Sequence, residues 1–200
     1  MRLRRAWVGG GFLVAGLALS AAVRGSGVRI ESVDGVTLKP FEPAGRASVV
    51  FFIARDCPIS NAYAPEIQRV CREYGAKGVE CSLMYEDIEA PGARLDGEVR
   101  AHRHEYGYRD MPAAIDRSRA IANRVKATIT PQAVVVDRSG AIRYRGRIDN
   151  FYAALGVARQ QVTERDLRLA LDAVLSGAPV AKPETEAVGC YIADPAVLRK

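Results

Sequence analysis

The sequence predicts an α/β fold with a mixed β-sheet, and three patterns support that prediction. Residues 48–54 form a continuous apolar run of strand length, rich in β-branched and aromatic side chains, as in a central strand buried on both faces. Strand and helix patterns alternate after it, which is typical of α/β proteins. Residues 132–148 then read as a β-hairpin, which adds antiparallel strands, and a last helical segment follows.

The other elements follow in chain order from local patterns. Residues 28–41 alternate around Asp34-Gly35, a dipeptide that favours a hairpin turn. Apolar residues at 67, 70, 71 and 74 share one helical face, which predicts a helix after the central strand. Thr163 and Asp166 resemble a capping box and predict a helix that runs to Leu175. Further predicted elements are a strand at 79–87, a helix at 96–106, a strand at 111–116, a helix at 117–126, and hairpin strands at 132–137 and 141–148.

The composition is that of an average globular protein. With 48% hydrophobic and 26% charged residues, the chain is neither disordered, nor collagen-like, nor a multi-span membrane protein. The net charge is +6, but three of these charges are arginines among the first 22 residues, which leaves +3 on the other 178. A charge this small and this scattered predicts no binding to nucleic acid.

The first 22 residues have the pattern of a targeting segment. A short basic stretch precedes an apolar run at about 6–23, and Ser20-Ala21-Ala22 supplies small residues suited to cleavage. We predict a secretory signal peptide; a membrane anchor stays open, because 18 apolar residues are long enough to span a bilayer. Either reading places the folded part outside the cytoplasm, in the periplasm or another extracytoplasmic space, where disulfides persist.

The length of 200 residues predicts about one domain. We divide the chain into the leader at 1–22, an N-terminal hairpin extension at 23–45, a folded domain at 46–176 and an extended tail at 177–200. The tail carries three prolines and contains Cys190.

Cys57 is the residue that points most directly to chemistry. It lies where the buried strand passes into a helix, with Pro58 at the favoured first helical position. Unpaired N–H groups and the helix dipole at such a place favour a thiolate and lower the thiol pKa from its usual value of about 8.5. Arg55 should reinforce that effect and Asp56 should oppose it. We therefore predict a reactive thiolate, against the alternative of an inert core cysteine.

The segment FIARDCPISNAYAP at 52–65 resembles the active-site segment of thioredoxin-like proteins. In that family an apolar strand ends in a Cys-Pro-x-Cys turn, with a second proline eight residues after the first cysteine, and Cys57 and Pro65 match this spacing. The segment TPQAVVVDRSGAIRYRG at 130–146 resembles the second family signature, in which the proline is cis. The resemblance covers roughly residues 28–176. It points to the redoxins of AhpC/TSA type, relatives of peroxiredoxins and periplasmic thiol-disulfide oxidoreductases.

That resemblance implies a thioredoxin-like fold, with a central mixed β-sheet flanked by helices, an N-terminal hairpin and an extended C-terminal tail. It also implies that Thr130 and Pro131 offer a backbone edge to a bound thiol or peptide. The implied reaction is thiol–disulfide exchange through Cys57, with a thiol or disulfide protein substrate and an external reductant as partners. No metal and no organic cofactor are predicted.

The sequence departs from the family at three positions. Thioredoxins carry a tryptophan where this chain has Asp56, and the second cysteine of their turn is Ser60 here. Peroxiredoxins carry a threonine or serine where this chain has Ala54. Two alternatives to disulfide exchange therefore stay open: an antioxidant thiol peroxidase that reduces small hydroperoxides, and a redox-inactive binding module.

Cys190 is the candidate for the missing second thiol. It lies in the otherwise polar, proline-broken tail, from which it can reach back to a nucleophile in the core, as in peroxiredoxins with a distant resolving cysteine. A permanent Cys57–Cys190 disulfide, or a link to another molecule, remains an alternative.

The other cysteines and the histidines are predicted to be structural. Cys71 lies on the apolar helix face and Cys81 on a strand, so we predict core packing, with a Cys71–Cys81 disulfide as the alternative. His102 and His104 lie two residues apart in a predicted helix, which puts them on different faces, and we predict that both are solvated. Arginines at 143, 145 and 147 alternate along a strand and predict one solvated basic face.

Overall fold

The computed structural model describes residues 27–87 and 93–193. The predicted leader and the last seven residues of the predicted tail lie outside these ranges. In chain order the elements are β1 (Ile30–Glu31), β2 (Thr37–Leu38), β3 (Ala47–Ile53), α1 (Pro58–Ala62), α2 (Ala64–Gly75), β4 (Val79–Tyr85), α3 (Ala93–Glu105), β5 (Ala113–Ile115), α4 (Ala120–Val125), β6 (Ile129–Thr130), β7 (Gln132–Asp137), β8 (Ile142–Gly146), β9 (Tyr152–Ala154), β10 (Val157–Ala158), α5 (Asp166–Ser176) and β11 (Cys190–Tyr191).

A five-stranded sheet in the order β5-β4-β3-β7-β8 forms the centre of the protein. The strands β3, β4 and β5 are parallel, whereas β7 runs antiparallel to both β3 and β8. This confirms the predicted α/β fold with mixed strand directions. The predicted N-terminal hairpin is present as β1 and β2, with Gly35 at a positive φ of 78° in its turn.

The central strand β3 is buried along its whole length, as its apolar run predicts. Successive side chains point to opposite faces, so Val49 and Phe51 pack with α2, α3 and α5, while Val50 and Phe52 pack with α4. Helices therefore cover both faces of the sheet, which explains why no polar residue other than a serine interrupts β3.

Two helix boundaries differ from the predicted ones because side chains are used elsewhere. The helix predicted from Thr163 begins at Asp166, since Thr163 accepts a 2.7 Å hydrogen bond from Asn150 instead of capping the helix. The helix predicted at 117–126 is shortened to α4. There the Asp116 carboxylate accepts the backbone N–H of Ile121 at 2.8 Å and fixes the start of the helix.

The prediction that Cys71 and Cys81 are unbonded core cysteines is wrong, because the two form a disulfide. Helix α2 packs against β4 with the Cα atoms of the two cysteines 5.9 Å apart, within the range that a disulfide requires. Ten residues separate them in sequence, and only the packing of the helix on the strand shows that they meet.

The prediction that His102 is solvated is also wrong, whereas His104 is exposed. The His102 ring is 7% exposed, lies 2.8 Å from the Tyr85 hydroxyl and 2.9 Å from Asn61 Oδ1, and stacks on Tyr106. Burial lowers the pKa of His102 to about 4, so it is a neutral hydrogen-bonding residue between α3, β4 and α1.

The three arginines predicted to form a basic face are paired with carboxylates. Arg143 lies 2.9 Å from Asp137, Arg147 lies 2.7 Å from Asp166, and Arg145 contacts Glu184 of the tail. Their charge is thus compensated within the protein, and Arg145 ties the tail to β8.

Among the described residues, no helix is long and apolar enough to cross a membrane. Nor do residues 27–87 and 93–193 bring three or more His, Cys, Asp or Glu side chains into an arrangement that suits a metal ion.

Candidate redox site

Cys57 lies at the junction between β3 and α1 that the sequence predicts. It is the N-cap residue of α1, in an extended conformation, and Pro58 follows in the first turn. The backbone N–H of Ser60 donates to the Cys57 sulfur across 3.4 Å. The helix N-terminus is therefore directed at the sulfur, which favours its anionic form.

Thr130 and Pro131 lie against the same sulfur. The peptide bond between them is cis, as the family resemblance implies. Cys57 Sγ is 3.1 Å from the Thr130 carbonyl oxygen, to which the thiol donates. Two segments that are 73 residues apart in sequence thus converge on one sulfur atom.

The tail brings Cys190 to this place. Strand β11 pairs antiparallel with β6, and this register sets Cys190 opposite Thr130. Cys190 packs against the apolar cluster that contains Cys57, each cysteine shifts the pKa of the other, and both are free. A second cysteine, contributed by the tail, therefore lies near Cys57.

The environment separates the acidities of the two cysteines. Burial raises the pKa of Cys57, but hydrogen bonding to the side chains of Cys190, Ser60 and Thr130 and to the Ser60 backbone N–H outweighs that effect and leaves the pKa lowered. Burial and the neighbouring Cys57 raise the pKa of Cys190 to about 12. Cys57 is therefore the more acidic thiol of the two.

The charged residues beside Cys57 engage partners away from the sulfur. The Arg55 guanidinium lies 3.3 Å from Asp87 and 2.8 Å from Glu98, and Asp56 is exposed to solvent. The Arg55 charge is therefore compensated by two carboxylates. The pKa of Cys57 is lowered by hydrogen bonds to its sulfur and not by Arg55.

Sequence reasoning missed a buried ion pair at the end of β4. Arg119 contacts the Glu86 carboxylate, also donates to the Glu86 carbonyl, and reaches the Ala193 carbonyl in the tail at 3.1 Å. Arg119 has a positive φ of 60°, which its buried contacts hold in place. The acidic pair Glu86-Asp87 directly after an apolar strand was the one signal available in the sequence.

Replacing Ser60 with alanine should raise the pKa of Cys57. The Ser60 side chain is buried and lowers the pKa of Cys57, and its hydroxyl has no hydrogen-bond partner among the described residues that would hold it away from the sulfur. Titrating the thiolate absorbance near 240 nm in the reduced protein measures the shift. An exposed hydroxyl, removed by Ser118→Ala, is the control. A Cys57 pKa that is the same in both variants would show that Ser60 acts only by filling space.

A cysteine at a strand-to-helix junction, beside a cis-proline at the end of a neighbouring strand, is the arrangement of a thioredoxin-like protein of the redoxin type. The chain belongs to the AhpC/TSA family, whose profile matches residues 28–145. No curated protein matches the chain.

Solved structures with the same fold support this placement. An uncharacterised conserved protein of Geobacillus kaustophilus is 25% identical, with a TM-score of 0.72 over 87% of this chain and 92% of that one. A hypothetical protein of Sinorhizobium meliloti 1021 is 26% identical, with a TM-score of 0.71 over 90% of this chain and 97% of that one. A thioredoxin-like protein of Aeropyrum pernix shares the fold at 13% identity and a TM-score of 0.51, over 76% and 89% of the two chains.

Proposed function

We propose that this protein is an exported thiol–disulfide oxidoreductase in which Cys57 is the nucleophile and Cys190 the resolving thiol. The main supporting observation is that the pairing of β11 with β6 sets Cys190 opposite Thr130, where it packs against the cluster that contains Cys57, while residue 60 is a serine. Membership of the AhpC/TSA family supports redox chemistry at this site. The basic and apolar leader supports export.

The first half of the reaction uses the lowered pKa of Cys57. The Cys57 thiolate attacks one sulfur of a substrate disulfide, and the other substrate sulfur leaves as a thiolate that takes up a proton. This step forms a mixed disulfide between Cys57 and the substrate. Thr130 and Pro131 border the sulfur and are the proposed docking edge for the substrate segment.

The second half requires Cys190 to lose its proton. In the mixed disulfide Cys57 no longer carries the negative charge that raises the pKa of Cys190, so the tail thiol ionises more readily. The Cys190 thiolate attacks Cys57 Sγ and the second substrate thiolate leaves. Two electrons have then passed to the substrate, and the protein holds a Cys57–Cys190 disulfide that an external dithiol reduces.

A thiol peroxidase is the second candidate, because Cys57 is 1% exposed and a small hydroperoxide reaches such a sulfur more easily than a protein does. The thiolate would take one oxygen from the hydroperoxide to form a sulfenic acid and release an alcohol. Cys190 would then displace water and form the same disulfide. The absence of a hydroxyl at Ala54 predicts that this reaction is slow.

Peptide mapping under non-reducing conditions tests the proposal. The reduced, exported protein is treated with one equivalent of insulin, whose disulfides are the oxidant, or of hydrogen peroxide. The cysteine pairs are then identified by mass spectrometry. We expect a Cys57–Cys190 disulfide that forms quickly with insulin and disappears with dithiothreitol. Faster formation with peroxide would favour the peroxidase. If Cys57 stays free with both oxidants, the protein is a binding module and the proposal is wrong.

A further inference from the structure

The backbone edge of β6 is already occupied by the chain's own tail. Cys190 pairs with Thr130 and Tyr191 with Ile129, and the Ile192 N–H donates to the Thr128 carbonyl at 2.9 Å. These are the contacts that an added strand makes with a sheet edge. A substrate peptide that uses the same edge therefore finds it taken.

Gly189 permits this close approach. A Cβ atom at this position would lie 1.9 Å from the Thr130 carbonyl oxygen and 2.7 Å from its carbon, distances that no side chain tolerates. Both atoms belong to the backbone, so neither can rotate away. The tail can therefore lie along β6 only because residue 189 is a glycine.

A second set of contacts fixes the tail further along. The Arg145 side chain pairs with Glu184, and the Thr185 backbone N–H donates to the Arg145 carbonyl oxygen at 3.1 Å. At Gly146 a Cβ atom would lie 2.1 Å from Thr185 Oγ1, so this strand position is also fitted to the tail. The tail is thus held against the domain over residues 183–193, not only at the cysteine.

The tail also packs beside the buried nucleophile. Cys57 is 1% exposed, and Val188 and Cys190 pack against the apolar cluster that contains it. A small molecule can reach a thiolate in such a position through slight movements, whereas a protein segment needs the edge itself.

We propose that residues 183–193 compete with protein substrates for the edge of β6, so that the tail must leave before an extended, cysteine-bearing peptide reaches Cys57. The inference rests on the proposed function and assigns its substrate class. The bound tail also indicates what fits: an antiparallel extended segment whose cysteine takes the place of Cys190 and follows a glycine. Formation of the Cys57–Cys190 disulfide would tether the tail in place, so only the reduced protein would accept a substrate.

Gly189→Ala in the full chain tests the competition, because it detaches the tail without changing either cysteine. The control is Gly75→Ala, which adds the same methyl group where nothing lies within 4 Å. Hydrogen exchange reports release of the tail through the amides of Ile192 and Thr185, with Val135 in β7 as the reference for the intact core. Alkylation of reduced Cys57 is followed with iodoacetamide and with a maleimide carrying a large polymer.

We expect Gly189→Ala to speed exchange at Ile192 and Thr185, to leave Val135 protected, and to raise labelling of Cys57 by the large reagent about tenfold or more relative to the control. Insulin reduction should rise relative to reduction of a small aromatic disulfide. A released tail with unchanged labelling of Cys57 would overturn the proposal, and so would an unchanged tail. If labelling of Cys57 by the large reagent rises but neither insulin nor the small aromatic disulfide is reduced, the tail covers Cys57 as proposed and the oxidoreductase function is wrong.

Discussion

Replacing Cys57 with serine should lower the rate of disulfide reduction to background, a loss of at least about a thousandfold. Cys57 is the N-cap residue of α1, its sulfur lies against Thr130, and its pKa is lowered. The pKa of Cys190, by contrast, is raised to about 12. Burial, the largest cause of the raised pKa of Cys190, persists in the variant, and Cys190 lies in a strand with no helix N-terminus beside it, so it does not replace the missing nucleophile. Initial rates of insulin or small disulfide reduction with excess dithiol measure the effect.

Cys190→Ser is the matched variant, because it makes the same replacement of sulfur by oxygen in the second cysteine of the pair. It should keep the first attack and lose resolution, so about one equivalent of mixed disulfide on Cys57 should accumulate. Mass spectrometry of the quenched reaction identifies that adduct. Full turnover by Cys190→Ser, with no adduct, would mean that the substrate's own second thiol resolves the intermediate and that the tail cysteine is structural.

Replacing Arg119 with methionine should lower the free energy of unfolding by about 3–5 kcal/mol. Both members of the Arg119–Glu86 pair are buried, and burial raises the pKa of Glu86 while the Arg119 guanidinium opposes that rise. Removing the guanidinium leaves the carboxyl group without its donor and frees the Glu86 and Ala193 carbonyl oxygens as well. Urea unfolding followed by circular dichroism measures the loss.

Two comparisons separate this ion pair from a general effect of losing an arginine. Arg138→Met, at an exposed side chain, should change the unfolding free energy by less than about 0.5 kcal/mol. The double variant Glu86→Met with Arg119→Met should be more stable than Arg119→Met alone, because it removes the uncompensated group together with its partner. Equal stability of Arg119→Met and the wild type would show that the pair contributes nothing.

The sequence alone determined the elements that depend on neighbouring residues. The apolar run of β3, the turn at Gly35 and the step from Cys57 to Pro58 each set the local backbone through side-chain type and spacing. The cis bond before Pro131 was implied by family resemblance and is present. These features predicted the fold class and the position of the candidate nucleophile.

Tertiary structure decided which distant residues meet. Cys190 reaches Cys57 through two strands of only two residues, too short to leave a periodic pattern, and Gly189 makes that contact possible. The Cys71–Cys81 disulfide likewise depends on where a helix packs against a strand. Local propensity fixes the conformation of each segment, but contact between segments depends on their relative placement, which the packing of the whole sheet and its helices sets.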